Sequence, residues 1–198
     1  KALTVLMDGI KNLEYRGYDS AGLAILENDG SVKTEKAVGK VASLEEKIAG
    51  KEFNGRRGII HSRWATHGGV TETNAHPHSD CAGELWLVHN GIIENYKELK
   101  GELLKSGHKF KSETDTEVAV HLIEEELKTN PFEDAVREAL KKIRGTYGIA
   151  VLYSREPDKL IAARNFSPLL IGLGRDEYFI ASDASPVLKH TKNVIYLD

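Results

Sequence analysis

Three short connections do most to limit what this chain can fold into. Asn28-Asp29-Gly30, Glu156-Pro157-Asp158 and Gly174-Arg175-Asp176 each separate two strand-like runs. Turns built from Gly, Pro, Asn and Asp let neighbouring strands pair antiparallel. A parallel crossover needs a dozen residues or more, and none of the three is long enough. The strand-like runs are 21–26, 32–38, 58–62, 85–89, 147–153, 160–164, 169–173, 178–181 and 194–197. Helical spacing marks Leu3, Leu6, Met7, Ile10 and Leu13, then Val41, Leu44 and Ile48. It continues over 96–105, 116–128 and 132–143, with a short helix expected at 186–190. Gly107 and Gly145 stand where helix C-caps belong. Strands and helices come in blocks, which predicts an α+β domain rather than a doubly wound one. No repeat or internal linker interrupts residues 1–198, so one domain is expected.

Composition narrows the classes of function. The chain is 40% hydrophobic and 29% charged, with a net charge of −3. No basic excess offers itself to nucleic acid. No apolar run approaches the roughly 20 residues of a membrane span. Cys81 is the only cysteine, so no intrachain disulfide forms and nothing asks for an oxidising compartment. A cytoplasmic location is expected. The first residues already follow helix periodicity without a capping residue, and 194–197 end on a strand-like run. Part of a longer protein is expected, with one strand missing ahead of Lys1.

Four segments carry residues suited to chemistry. In "HSRWATHG", residues 61–68, a strand runs out into Arg63, Trp64, Thr66 and His67. The planar guanidinium fork suits a carboxylate, whether a ligand's or a structural one. In "SETDTE", residues 112–117, Thr114 and Glu117 have capping-box spacing. Asp115 then serves either the helix dipole or a ligand cation. Together Arg63 and Asp115 can clamp an α-amino acid at both charged ends. Asn90-Gly91 reads locally as a tight turn after strand 85–89. Its two N–H donors also suit an oxyanion hole. In "NAHPHSDC", residues 74–81, His76, His78 and Asp80, with His67, are candidate metal ligands for a metal-dependent hydrolase. Cys81 is a weaker candidate nucleophile.

"LEYRGYDSAG", "HSRWATHG", "NAHPH", "VHNGIIEN", "SETDTE" and "GTYGIAV", in that order, resemble one family. They are similar to the glutaminase domain of the glucosamine-6-phosphate synthases, which are class II (amino-terminal nucleophile) glutamine amidotransferases. The resemblance implies a four-layer αββα sandwich of the Ntn-hydrolase type. It implies hydrolysis of glutamine to glutamate and ammonia through a cysteinyl thioester. The ammonia would pass to a downstream isomerase domain acting on fructose 6-phosphate, in a homodimeric full-length enzyme without cofactor or metal. It assigns Arg63 to the substrate carboxylate, Asp115 to its ammonium, and Asn90 and Gly91 to the oxyanion hole. Trp64, Thr66, His67 and His76 would line the pocket, with Arg16 and Tyr18 in support. The family's nucleophile is an amino-terminal cysteine, which has no counterpart at Lys1. A glutamine-binding module without catalysis is the alternative.

Overall fold

The structure, a computed structural model, describes residues 2–197 apart from the Arg16 side chain. Helix α1 (Ala2–Lys11) leads through a 3-10 turn (Glu14–Arg16) into a hairpin of β1 (Ser20–Leu26) and β2 (Val32–Val38). The hairpin turns at Asn28-Asp29-Gly30 as expected, where Asp29 accepts the Ser31 N–H and Gly30 takes a φ of 85°. Helix α2 (Val41–Ile48) follows, then β3 (Arg57–Arg63), which pairs with the other edge of β1. This first sheet has the order β2-β1-β3.

The second sheet has the order β4-β5-β6-β7, formed by β4 (His78–Ser79), β5 (Leu85–Ile93), β6 (Gly145–Tyr153) and β7 (Leu160–Asn165). Helices α3 (Tyr96–Lys105), α4 (Thr116–Glu126) and α5 (Phe132–Lys142) come between β5 and β6. A small sheet of β8 (Leu170–Leu173), β9 (Tyr178–Ala181) and β10 (Val194–Tyr196) closes the chain. Every strand pairing in the three sheets is antiparallel. No helix is long and apolar enough to cross a membrane among the described residues.

Strand alternation builds four layers from this order. On β1, Leu23 and Ile25 face α1 and α2, where they pack with Met7, Ile10, Val41 and Leu44. The intervening Ala24 and Leu26 face the second sheet and meet Trp86, Val88 and Leu152. On β5, Leu85 and Leu87 face the other way, onto Val118, Leu122, Ile123, Phe132 and Val136 of α4 and α5. A period-2 strand that is apolar on both faces must be covered on both, and here one face meets helices and the other a sheet. The arrangement is the αββα sandwich expected from the resemblance.

Three local expectations fail. Strand β5 does not stop at His89 but runs on to Ile93, in register with β6 throughout. Asn90 and Gly91 therefore sit inside a strand opposite Gly148 and Tyr147, and form no turn. Gly145 is not a helix cap but the first residue of β6, opposite Ile93. Residues 186–190 form turns rather than a helix. In the first two cases local turn chemistry lost to cross-strand pairing. Glycine at 91 and 145 is required by the close pass of the two strands. A Cβ at Gly91 would lie 2.1 Å from the Thr146 carbonyl oxygen, and one at Gly145 2.1 Å from that of Ile92.

Candidate active site

The site residues collect where β1, β3 and β5 meet the loops 64–76 and 112–115. Arg63 ends β3 and is buried. Its guanidinium donates to the carbonyls of His67, Gly68 (3.3 Å) and Gly69 (3.1 Å), so it braces the loop from below. Asp19 secures the start of the same loop by accepting the Ala65 N–H at 2.8 Å. Burial lowers the proton affinity of Arg63, and the neighbouring Asp115 and Asp19 carboxylates oppose that. Arg63 and Asp115 thus share one electrostatic environment, although 52 residues of sequence separate them.

Asp115 is buried at the start of α4, where its Oδ2 accepts the Ile93 N–H at 2.8 Å. The expected capping box is half formed. Thr114 Oγ1 accepts the Glu117 N–H at 3.4 Å, but the Glu117 carboxylate reaches back to the N–H groups of Lys111 and Ser112. Asn74 ties the two loops together. Its Nδ2 donates to the Gly69 carbonyl (3.0 Å), and its Oδ1 accepts the Glu113 N–H (3.0 Å).

Asn90 is oriented by a neighbour the sequence did not single out. His61 Nε2 lies 3.0 Å from Asn90 Oδ1. An amide oxygen only accepts, so the imidazole donates through Nε2 and leaves the Asn90 N–H pair free of that contact. Burial pushes the His61 pKa down to about 4, against the opposing hydrogen bond with Asn90. The ring is therefore neutral at pH 7 in this tautomer.

His61 belongs to a stack of imidazoles. Its ring lies 4.3 Å from that of His76, which lies 5.0 Å from that of His78. His76 Nδ1 accepts the His89 N–H at 3.3 Å. His89 itself lies between Thr116 Oγ1 (2.9 Å) and the Thr146 carbonyl (3.3 Å). Burial holds His76 well below 6.5, His78 at about 3 and His89 below its ordinary value. These histidines form a neutral polar wall, and the partners of His61, His76 and His89 assign their tautomers. Gly22 lets β1 pass beside this wall, since a Cβ there would lie 2.2 Å from the His76 carbonyl oxygen.

The remaining expected residues are more peripheral. Trp64 is 59% exposed and its ring lies 5.5 Å from that of Tyr18. Thr66 is exposed on the same loop. The His67 ring meets that of Tyr96 edge-on at 5.1 Å. The Arg16 side chain lies outside the described residues. Reading by sequence missed His61, His89, Asp19 and Asn74 as site builders. All four lie within the motifs quoted for the family, but no local rule distinguishes them.

The alternative metal set does not assemble. His76 Nδ1 takes a backbone N–H, His78 Nε2 pairs with Thr114 Oγ1 (3.0 Å), and Asp80 Oδ1 accepts the N–H groups of Glu84 and Leu85. The expected ligands thus spend their lone pairs in different directions. Among the described residues, the group able to converge on an ion is a different one.

Comparison with known proteins agrees with this geometry. Residues 61–189 match the family described as "Glutamine amidotransferase domain". The chain is 54% identical to a glutamine–fructose-6-phosphate aminotransferase (isomerizing) of Thermococcus kodakarensis, over 100% of this chain and 33% of the relative. It is 52% identical to the protein of the same name from Pyrococcus horikoshii, with the same coverage. The chain thus spans about a third of the length of these curated relatives. Among solved structures, glutamine phosphoribosylpyrophosphate amidotransferase from B. subtilis superposes with a TM-score of 0.79 at 27% identity, over 98% of this chain and 42% of that one. The matched segment takes in Arg63, His76, Asn90 and Asp115 together, and on that match the chain belongs to the glutamine amidotransferase domain family.

Proposed function

We propose that this chain is the glutaminase domain of a glutamine–fructose-6-phosphate aminotransferase and releases ammonia from glutamine. The observation that carries the reading is the shared setting of Arg63, Asp115 and the Asn90-Gly91 strand segment. Arg63 supplies positive charge for the α-carboxylate and Asp115 negative charge for the α-ammonium. Three buried polar atoms near this region, Ser20 Oγ, His61 Nδ1 and His67 Nδ1, have no hydrogen-bond partner among the described residues. Buried polar groups of that kind call for a polar ligand or water.

Strand geometry supports the oxyanion hole. His89 and Ile93 send their N–H groups to His76 and Asp115, away from β6. Alternation along an antiparallel strand assigns the Gly91 N–H to that same edge. Beside it, Asn90 presents Nδ2 because His61 holds its Oδ1. Attack on the glutamine side-chain amide puts charge on its oxygen, which these two donors stabilise by about 3 kcal/mol each.

The resemblance to class II enzymes puts the attacking thiol on an amino-terminal cysteine ahead of Lys1, whose α-amine, with a pKa near 8, manages the proton. A sulfur–carbon bond forms, the carbon–nitrogen bond breaks, and ammonia leaves with the proton. Water then opens the thioester to glutamate. Ammonia passes to a sugar-phosphate isomerase domain that converts fructose 6-phosphate to glucosamine 6-phosphate. The domain spans residues 1–198, and the protein works in the cytoplasm as a homodimer without a cofactor.

The test is ammonia release from glutamine by the full-length protein, including the residues ahead of Lys1. Asn90→Ala should lower kcat about a hundredfold with little change in KM. Glutamine binding without ammonia release by the unmutated protein would identify a binding module instead.

A further inference from the structure

At the other end of β5 from Asn90, four side chains converge that the glutaminase reading leaves without a role. Cys81 lies in the loop between β4 and β5, His108 follows α3, and His121 and Glu124 share one face of α4. One ligand atom from each falls within 4.8 Å of all the others. Cys81 Sγ is 3.9 Å from His108 Nδ1 and 3.8 Å from His121 Nδ1. Glu124 Oε2 is 2.9 Å from His108 Nδ1 and 2.7 Å from His121 Nδ1.

We propose that Cys81, His108, His121 and Glu124 form a structural divalent-metal site of the zinc class.

The spacing is close to what such an ion needs. Bonds of about 2.3 Å to sulfur and about 2.0–2.1 Å to nitrogen and oxygen, at tetrahedral angles, separate the ligand atoms by roughly 3.3–3.6 Å. Shifts of about half an ångström bring the sulfur–nitrogen and the nitrogen–oxygen pairs to those values, and the remaining pairs, within 4.8 Å, close by up to about 1.5 Å.

The surroundings orient the ligands. Both histidines turn Nδ1 inward and Nε2 towards a further carboxylate. His108 Nε2 is 2.6 Å from Glu125 Oε2, whereas His121 Nε2, 3.7 Å from Glu117 Oε1, has no hydrogen-bond partner among the described residues. A carboxylate behind a ligating imidazole fixes its tautomer and strengthens it as a donor. The Lys109 N–H points at Cys81 Sγ from 3.4 Å and fixes the direction of the sulfur. The Cys81 N–H holds Glu124 Oε1 at 3.3 Å, which leaves Oε2 for the centre.

A network of ion pairs alone explains less. Without an ion, both Nδ1 atoms must share one carboxylate oxygen, and the buried His121 Nε2 is left with no hydrogen-bond partner among the described residues. The two imidazole rings are 5.2 Å apart and their side chains only 4% and 1% exposed. A divalent ion gives all four groups one shared partner.

Mixed sulfur, nitrogen and carboxylate donors suit zinc over magnesium or calcium, which prefer all-oxygen shells. With four protein ligands no position is open to water, so the role is structural. The ion would pin the β4–β5 loop and the segment after α3 onto α4, the helix that begins next to Asp115.

The test compares the purified full-length protein with Cys81→Ser and Glu125→Gln variants, each stripped of metal by chelation and titrated with Zn2+ or Co2+ alone. The expected wild-type result is one tight equivalent and a higher Tm with Zn2+. Co2+ should give the thiolate charge-transfer absorption and visible bands of a tetrahedral centre. Cys81→Ser should remove the charge-transfer band and weaken Zn2+ binding a hundredfold or more, and Glu125→Gln should weaken it about tenfold. Cys81 is exposed, so the serine variant should fold, which circular dichroism verifies. Equal Zn2+ affinity and equal Tm gain in wild type and Cys81→Ser, or no bound equivalent in the wild type, would overturn the site. Glutaminase kinetics do not enter the readout, so the two proposals fail separately.

Discussion

His61 Nε2 donates to Asn90 Oδ1 across 3.0 Å, linking β3 of one sheet to β5 of the other. On the proposed function the contact makes His61 a positioning residue, which sets which end of the Asn90 amide would face the substrate. His61→Ala should free the amide to rotate and lower kcat for ammonia release about tenfold, with a smaller change in KM. His61→Gln restores a donor near the same place and should recover part of the loss. Equal kcat in all three proteins would show that the orientation does not matter.

The zwitterion clamp is tested by binding rather than turnover. Asp115 has a structural duty as acceptor of the Ile93 N–H, so alanine there confounds two effects. Asp115→Asn keeps an acceptor oxygen and removes the charge. It should weaken glutamine binding by about 1.5–3 kcal/mol, roughly ten- to hundredfold, the range for hydrogen bonds to charged groups. Arg63→Lys keeps the charge but not the fork, and should weaken binding while loosening loop 67–69. Calorimetry with glutamine measures both, and unchanged affinity in both would contradict the clamp.

The histidine wall makes stability depend on pH. The folded protein keeps these rings neutral, while the unfolded chain protonates them near 6.5. The unfolded state therefore binds more protons below that pH, and stability falls as pH drops from about 6.5. For His61 the fall continues to about pH 4, where the folded ring itself takes up a proton, and amounts to roughly 3 kcal/mol. Urea unfolding across this window should show the slope, and His61→Gln should flatten it. A slope unchanged by that substitution would remove His61 as its source.

Gly91 allows a strict test of backbone geometry. Its φ of 131° is one that L side chains rarely adopt, and a Cβ would lie 2.1 Å from the Thr146 oxygen. Gly91→Ala should cost about 3 kcal/mol or more, seen as a lower urea midpoint at unchanged m. A midpoint equal to that of the wild type would mean that β5 and β6 pass farther apart here.

Local sequence was a good guide wherever local chemistry decided the outcome. The β1–β2 hairpin, α2, α3 and β9 all lie where turn residues and periodicity place them. So do the antiparallel pairings that follow from short connections. Two of the four positions proposed for catalysis and the clamp were misread in local structure. Asn90-Gly91 has the local signature of a turn, but β6 extends alongside it and holds it in a strand.

By itself the sequence determined the class of fold, the candidate residues and, through six motifs in order, their family. These depend on side-chain period, turn chemistry and residue type, all properties of neighbours along the chain. Only the tertiary structure decided which groups come together: Arg63 and Asp115 in one electrostatic setting, His61 with Asn90, and Cys81 with His108, His121 and Glu124. Those encounters join residues 27 to 52 positions apart, and packing the two sheets and their helix layers is what brings them within reach of one another's charges, hydrogen bonds and coordination.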